Sequence, residues 1–143
     1  MTISARVHYA CLAMLELAIR HRSDEKSPVA VREITDRHGI PGPFLVQILR
    51  TLRTAGWVQS TRGSQGGYRL SVDPTQITLL DIAEGVGCQE SGCQTEAKQT
   101  PADQMLQVFW DDAAEASRKV LAEAKLSDLI ERCQHGDAAM FYI

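Results

Sequence analysis

Between Val31 and Leu70 the chain alternates short apolar-periodic runs with glycine and proline breaks, and few folds accommodate that punctuation. Val31, Ile34 and Thr35 begin a short helix that must stop at Gly39, because glycine supplies the left-handed conformation on which helices often end. Pro41 and Pro43 permit only a turn or the first turn of a new helix. Phe44, Leu45, Ile48, Leu49 and Leu52 then follow at helical spacing until Gly56. Two short helices around a tight Gly/Pro turn predict a helix-turn-helix. Trp57 to Thr61 and Tyr68 to Ser71 read as strands on either side of the glycine-rich stretch Arg62 to Gly67, which predicts a β-hairpin.

The flanks read as helices. Val7, Ala10, Cys11, Met14, Leu17 and Ala18 recur at three- and four-residue steps, with Ser4 as N-cap, and predict a first helix ending near Arg22. Ser23 to Pro28 is charged and breaker-rich, hence a loop, and Val29 to Arg32 suits either a short strand or a helix entry. Asp73-Pro74 closes the hairpin, and Thr78 with Asp81 resembles a capping box for a helix holding Leu79, Leu80, Ile82 and Ala83. Gly85 to Pro101 has little apolar periodicity, contains Cys88 and Cys93, and reads as a loop. From Ala102 a long helix is indicated by Met105, Phe109, Ala113, Ala116, Val120 and Ala124. The small residues in the middle of this stripe suit close packing against another helix, which in so small a chain is expected in a second subunit. A last short helix is expected from Ser127 to Cys133. The expected fold class is mainly α with a small β-hairpin wing: a winged helix-turn-helix over residues 1–84, a cysteine-containing loop over 85–101, and a long dimerisation helix with its tail over 102–143.

Charge distribution narrows the function. The composition is ordinary for a globular chain, 44% hydrophobic and 23% charged, with no run long enough to cross a bilayer, so no membrane partner is expected. Arg6 and Glu16 interrupt the apolar first twenty residues and no small-residue cleavage site follows, which argues against a secretory signal and for a cytoplasmic protein. A formal net charge of −3 counts weakly against nucleic acid, yet Arg37 to Arg69 contains five arginines and no Asp or Glu. Such a segment can present one basic face to a phosphate backbone. Gln47, Arg50 and Arg53 lie opposite the apolar set on the second helix of the helix-turn-helix, where glutamine can bond an adenine edge and arginine a guanine edge. In the hairpin, Arg62 can enter a narrow minor groove, Gly63, Gly66 and Gly67 let the backbone approach a sugar-phosphate wall, and Ser60 and Tyr68 flank the tip. The plain alternatives, exposed helix residues and a flexible turn, stay open. An enzyme is not expected, since no serine, histidine and carboxylate set or phosphate-binding loop is evident. A winged helix that docks on proteins would instead carry acidic or apolar residues on the recognition helix.

Several stretches together resemble a known family. Tyr9-Ala10, Arg32-Glu33-Ile34, Gly39-Ile40, Phe44 to Leu49, Leu52 to Val58, the wing Arg62 to Leu70, and Ile77 to Ile82 are similar to the bacterial Rrf-type winged-helix regulators of the IscR/NsrR kind. The resemblance covers nearly the whole chain, and the wing is its most specific piece. It implies a homodimer joined through long C-terminal helices, bound to a partly palindromic double-stranded DNA operator, with repression as the default. Pro41 and Pro43 depart from the pattern, standing at turn positions where relatives often have serines that contact phosphate.

The resemblance also raises the question of a sensor for redox state, iron or nitric oxide. Cluster-binding members have three cysteines in the loop before the long helix, whereas this chain has Cys88 and Cys93 and none from Gln94 to Pro101. A cysteine-only cluster cannot be completed within this loop. The resemblance implies non-cysteine ligands: His8, where such members carry a carboxylate, and His38, at the end of the second helix. The expected site is therefore a [2Fe–2S] cluster on Cys88, Cys93 or both, completed by His8 and His38, since histidine replaces cysteine on one iron in some clusters. Zinc at a mixed Cys/His site, a reversible Cys88–Cys93 disulfide, and a cofactor-free regulator answering to a partner protein are the alternatives. Cys11 and Cys133, at helical spacing among apolar residues, are expected to be buried thiols.

Overall fold

Ser4 begins the first helix as predicted, its hydroxyl accepting a hydrogen bond from the Val7 amide at 3.3 Å. The structure is a computed structural model that describes residues 3–25, 27–87 and 96–136. Helix α1 (Ala5–Arg22) buries Val7, Ala10, Ala13, Met14, Leu17 and Ala18 and packs against the second, third, fourth and sixth helices and the second wing strand. Helix α2 (Val31–His38) ends on Gly39 at φ 66°, the left-handed cap that its sequence called for. Helix α3 (Gly42–Thr54) starts on Pro41 as N-cap with Pro43 in its first turn, where a missing N–H removes no helical bond.

The wing follows as two antiparallel strands, β1 (Val58–Thr61) and β2 (Gly67–Leu70), in the register Val58 to Leu70, Gln59 to Arg69, Ser60 to Tyr68 and Thr61 to Gly67. Val29 pairs with Tyr68 from the other side through two hydrogen bonds of 2.9 and 2.8 Å. The ambiguous Val29 to Arg32 stretch thus resolves into a one-residue bridge followed directly by α2. Helix α4 (Leu79–Gly85) opens with the full capping box, Thr78 and Asp81 each accepting from the other's amide.

Helix α5 (Pro101–Glu123) is capped by Thr100, and Ala124, expected within its stripe, is instead the extended residue that ends it. Helix α6 (Leu126–Gly136) turns back onto α1 and buries Leu126 and Ile130 in the core. Cys133, expected to be buried, is exposed. The Arg22–Glu131 pair at 3.8 Å shows why: by residue 131 helix α6 has reached the last residue of α1, beyond which α1 offers no surface. Cys11 is half-buried. Cys88 and Cys93 lie outside the described residues.

Two kinds of surface emerge. The core is continuous from α1 through α3, the wing base and α4 to α6, and includes no buried polar or charged residue among those described. Helix α5, by contrast, has no buried residue, and Met105, Leu106, Val108, Phe109, Trp110 and Val120 are 48 to 66% exposed. Among the described residues no helix is long and apolar enough to cross a membrane.

Candidate nucleic-acid interface

Leu45, Ile48, Leu49 and Leu52 anchor α3 in the core with no exposed surface, so the helical period turns Gln47, Arg50 and Arg53 outward to solvent. These are the three positions expected to face bases. Arg50 and Arg62 form no ion pair among the described residues. Arg53 is tied to the wing, its Nη1 donating to Ser60 Oγ at 3.3 Å. That bond joins the recognition helix to β1 and sets the spacing between two expected contact elements. The Thr51 hydroxyl donates to the Gln47 carbonyl at 3.2 Å, bracing the turn that carries Gln47.

The wing glycines divide by cause. Gly63 has φ 111° with open space around it, and the Gly66 amide donates to its carbonyl at 3.0 Å across the tip. At Gly66 a Cβ would lie 2.2 Å from the Thr61 carbonyl oxygen, and at Gly67 one would lie 2.2 Å from that of Val29. These two glycines are thus required by contacts inside the fold, whatever they meet outside it. Tyr68 likewise is half-buried against the core and bonded through its backbone to Val29, while Arg62 and Gly63 are exposed.

The acid-free segment is not acid-free in space. Arg37 Nη1 donates to Glu16 Oε2 at 2.8 Å, and His38 Nε2 lies 2.9 Å from Glu16 Oε1. Glu16 is 13% exposed, so one nearly buried carboxylate of α1 holds the end of α2. Arg37 is thereby engaged, and Arg50, Arg53, Arg62 and Arg69 are the other exposed arginines of the segment.

Of the expected ligands, His8 and His38 lie among the described residues and are not brought together. His8 is exposed and lines an apolar cleft of about 260 Å³ with Cys11, Leu12, Leu79 and Leu121. His38 is held by Glu16, eight residues farther along α1, or about 12 Å of helix rise. Burial pushes the Cys11 thiol up to about 11, so it is a poor nucleophile at neutral pH. No group of three or more His, Cys, Asp or Glu able to hold a metal occurs among the described residues.

Arg6 and Glu16 were visible in the sequence only as interruptions of an apolar run. In the fold both make long-range bonds, Glu16 to α2 and Arg6 to Thr51 Oγ1 at 3.1 Å and to the Val86 carbonyl at 2.9 Å. A charge at a core-edge position of an otherwise apolar helix was the available signal.

A model of the Rrf2 family, described as iron-dependent transcriptional regulators, matches residues 3–132. The chain belongs to the Rrf2 family of transcriptional regulators. An Rrf2-like regulator of Rhodobacter capsulatus is 35% identical over 130 residues, covering 90% of this chain and 84% of the relative. The solved structure of CymR, the global cysteine regulator of B. subtilis, superposes with a TM-score of 0.74 at 30% identity, covering 92% of this chain and 97% of that one. That of T. potens IscR superposes with a TM-score of 0.76 at 28% identity, covering 99% and 97%. The Rrf2 assignment accounts for the winged helix-turn-helix and makes the chain a DNA-binding regulator rather than an enzyme.

Proposed function

We propose that this Rrf2 regulator binds a partly palindromic operator as a homodimer in the cytoplasm and represses from it, with residues 1–84 contacting DNA, 85–101 receiving the signal and 102–143 carrying the dimer contacts. The carrying observation is the outward set Gln47, Arg50 and Arg53 on α3, bonded through Arg53 and Ser60 to a wing that presents Arg62 and Gly63. Gln47 and Arg50 read base edges in the major groove, and Arg62 enters the adjacent minor groove. Ser60, Gly66, Gly67 and Tyr68 support the wing in this arrangement. Arg62→Ala is expected to weaken operator binding by roughly 1–3 kcal/mol and to make its salt dependence shallower. Unchanged affinity and salt slope in a titration across ionic strengths would remove the wing contact.

The apolar residues of α5 support the dimer, because six large apolar side chains left about half or more exposed along one helix mark an interaction surface. In this reading two copies joined along α5 would present two recognition helices together, as two half-sites require.

For the signal, the donors available do not fit a cluster held by one chain. Two thiols in that loop fall short of four, Cys11 is half-buried among apolar side chains, and His38 is engaged by Glu16, leaving His8 as the open imidazole of the expected pair. We therefore read Cys88 and Cys93 as a thiol pair that closes to a disulfide, two electrons and two protons passing to a thiol oxidant. Protein purified anaerobically is expected to be colourless, with no bound iron or sulphide, and to lose two titratable thiols on oxidation. Stoichiometric iron and sulphide with visible absorption would sink this reading and return the [2Fe–2S] site, with His8 supplied across the dimer.

A further inference from the structure

Arg6 stands in the first turn of α1, next to the core residue Val7, yet its guanidinium binds neither acid nor solvent-facing polar groups of its own helix. Nε donates to the carbonyl of Val86 at 2.9 Å, 80 residues away, and Nη2 to Thr51 Oγ1 at 3.1 Å, 45 residues away. Val86 is the buried cap residue at the C-terminal end of α4, where a carbonyl lacks a helical partner and the helix dipole favours a cation. Thr51 is a half-buried residue of α3 whose hydroxyl proton goes on to the Gln47 carbonyl at 3.2 Å. The bonds form one series: the Val86 carbonyl, the planar Arg6 guanidinium, the Thr51 hydroxyl and the backbone of Gln47. An arginine suits this position because its rigid fork reaches two acceptors at a fixed separation, which a lysine cannot do.

We infer that Arg6 is a positioning residue for operator reading, holding the Gln47 to Thr51 turn of α3 at a fixed height against the end of α4. Gln47 and Arg50 must meet base edges within a few tenths of an ångström, whereas phosphate contacts tolerate more play. Loss of the series therefore lowers discrimination between operator and random DNA more than it lowers binding to DNA in general. The inference rests on the reading of α3 as the base-contacting helix.

The test is a double-mutant cycle in the full-length protein with Arg6→Ala, Thr51→Val and the pair, each measured on operator and on random-sequence DNA. Each single variant is expected to lower the operator-to-random affinity ratio by about tenfold, and the double variant by about tenfold as well, far short of the roughly hundredfold loss that additivity would give. The salt slope is expected to stay at the wild-type value, and Arg6→Lys to restore little. Additive effects of the two substitutions, or an unchanged ratio in both singles, would overturn the inference. A salt slope shallower by about one phosphate per protomer in Arg6→Ala would overturn it as well, since Arg6 would then be a direct phosphate contact. Melting curves separate misfolding from mispositioning, the latter alone changing the ratio at temperatures where each variant is fully folded. Gln47→Ala is measured alongside: if it leaves the ratio unchanged, the reading of α3 fails, whereas an effect of Gln47→Ala without one of Arg6→Ala defeats only the positioning role.

Discussion

Phe109→Asp is expected to split the protein into monomers and to raise its operator Kd by at least about a hundredfold. Phe109 is 62% exposed on the apolar face of α5, with Met105, Leu106 and Trp110 around it and Val120 about three turns farther along, and α5 has no buried residue of its own. A carboxylate there faces water in the monomer at little cost, but in a dimer it would be desolvated without a partner, at a cost of several kcal/mol. The loss in DNA affinity follows from valence. A dimer on two half-sites gains from the high effective concentration of its second recognition helix, commonly a factor of about 100 to 10,000, and a monomer has none of it. Sedimentation equilibrium reads the oligomeric state, circular dichroism the intact helices, and a gel shift on full and half operators the affinity. A variant that stays dimeric, or that is monomeric yet binds the full operator as the parent does, would count against the proposed assembly.

The second large effect is on stability. Gly67→Ala is expected to destabilise the fold by about 3 kcal/mol and lower its melting temperature by roughly 10 °C. The added methyl would sit 2.2 Å from the Val29 oxygen and 2.5 Å from its carbon, both backbone atoms that cannot swing aside as a side chain would. Relief requires separating β2 from Val29, which also strains the two hydrogen bonds of the Val29–Tyr68 bridge. Gly42→Ala is the control, since nothing lies within 4 Å of its added methyl and its φ is ordinary. Differential scanning calorimetry of the two variants checks this directly, and equal melting temperatures would show that the wing base yields more easily than its backbone packing implies.

Elements whose causes are local were readable from the chain. Ser4, Gly39, Pro43 and the Thr78–Asp81 pair all act within about one helical turn of themselves, and all cap or begin the helices expected of them. The same holds for the outward placement of Gln47 and Arg50, which follows from the burial of Leu45, Ile48, Leu49 and Leu52 at helical period. Cys133 failed because periodicity says which face a residue occupies, not whether a neighbour still covers that face, and α1 ends where Cys133 would need it. Ala124 failed because the turn into α6 is set by the pairing of Thr78 with Lys125, across the molecule.

The wing shows both levels at once. By itself the sequence determined that a hairpin must form between Trp57 and Ser71 and that its tip would carry Arg62, because strand alternation and glycine breaks are local properties. Only the tertiary structure decided that Gly67 is glycine on account of Val29, that Arg53 ties α3 to Ser60, and that Arg37 is neutralised by Glu16. It alone placed Arg6 between residues 45 and 80 positions away. Such partners meet through the packing of α1 against the rest of the chain, and no periodicity within a helix or strand encodes which distant carbonyl or carboxylate that packing will deliver.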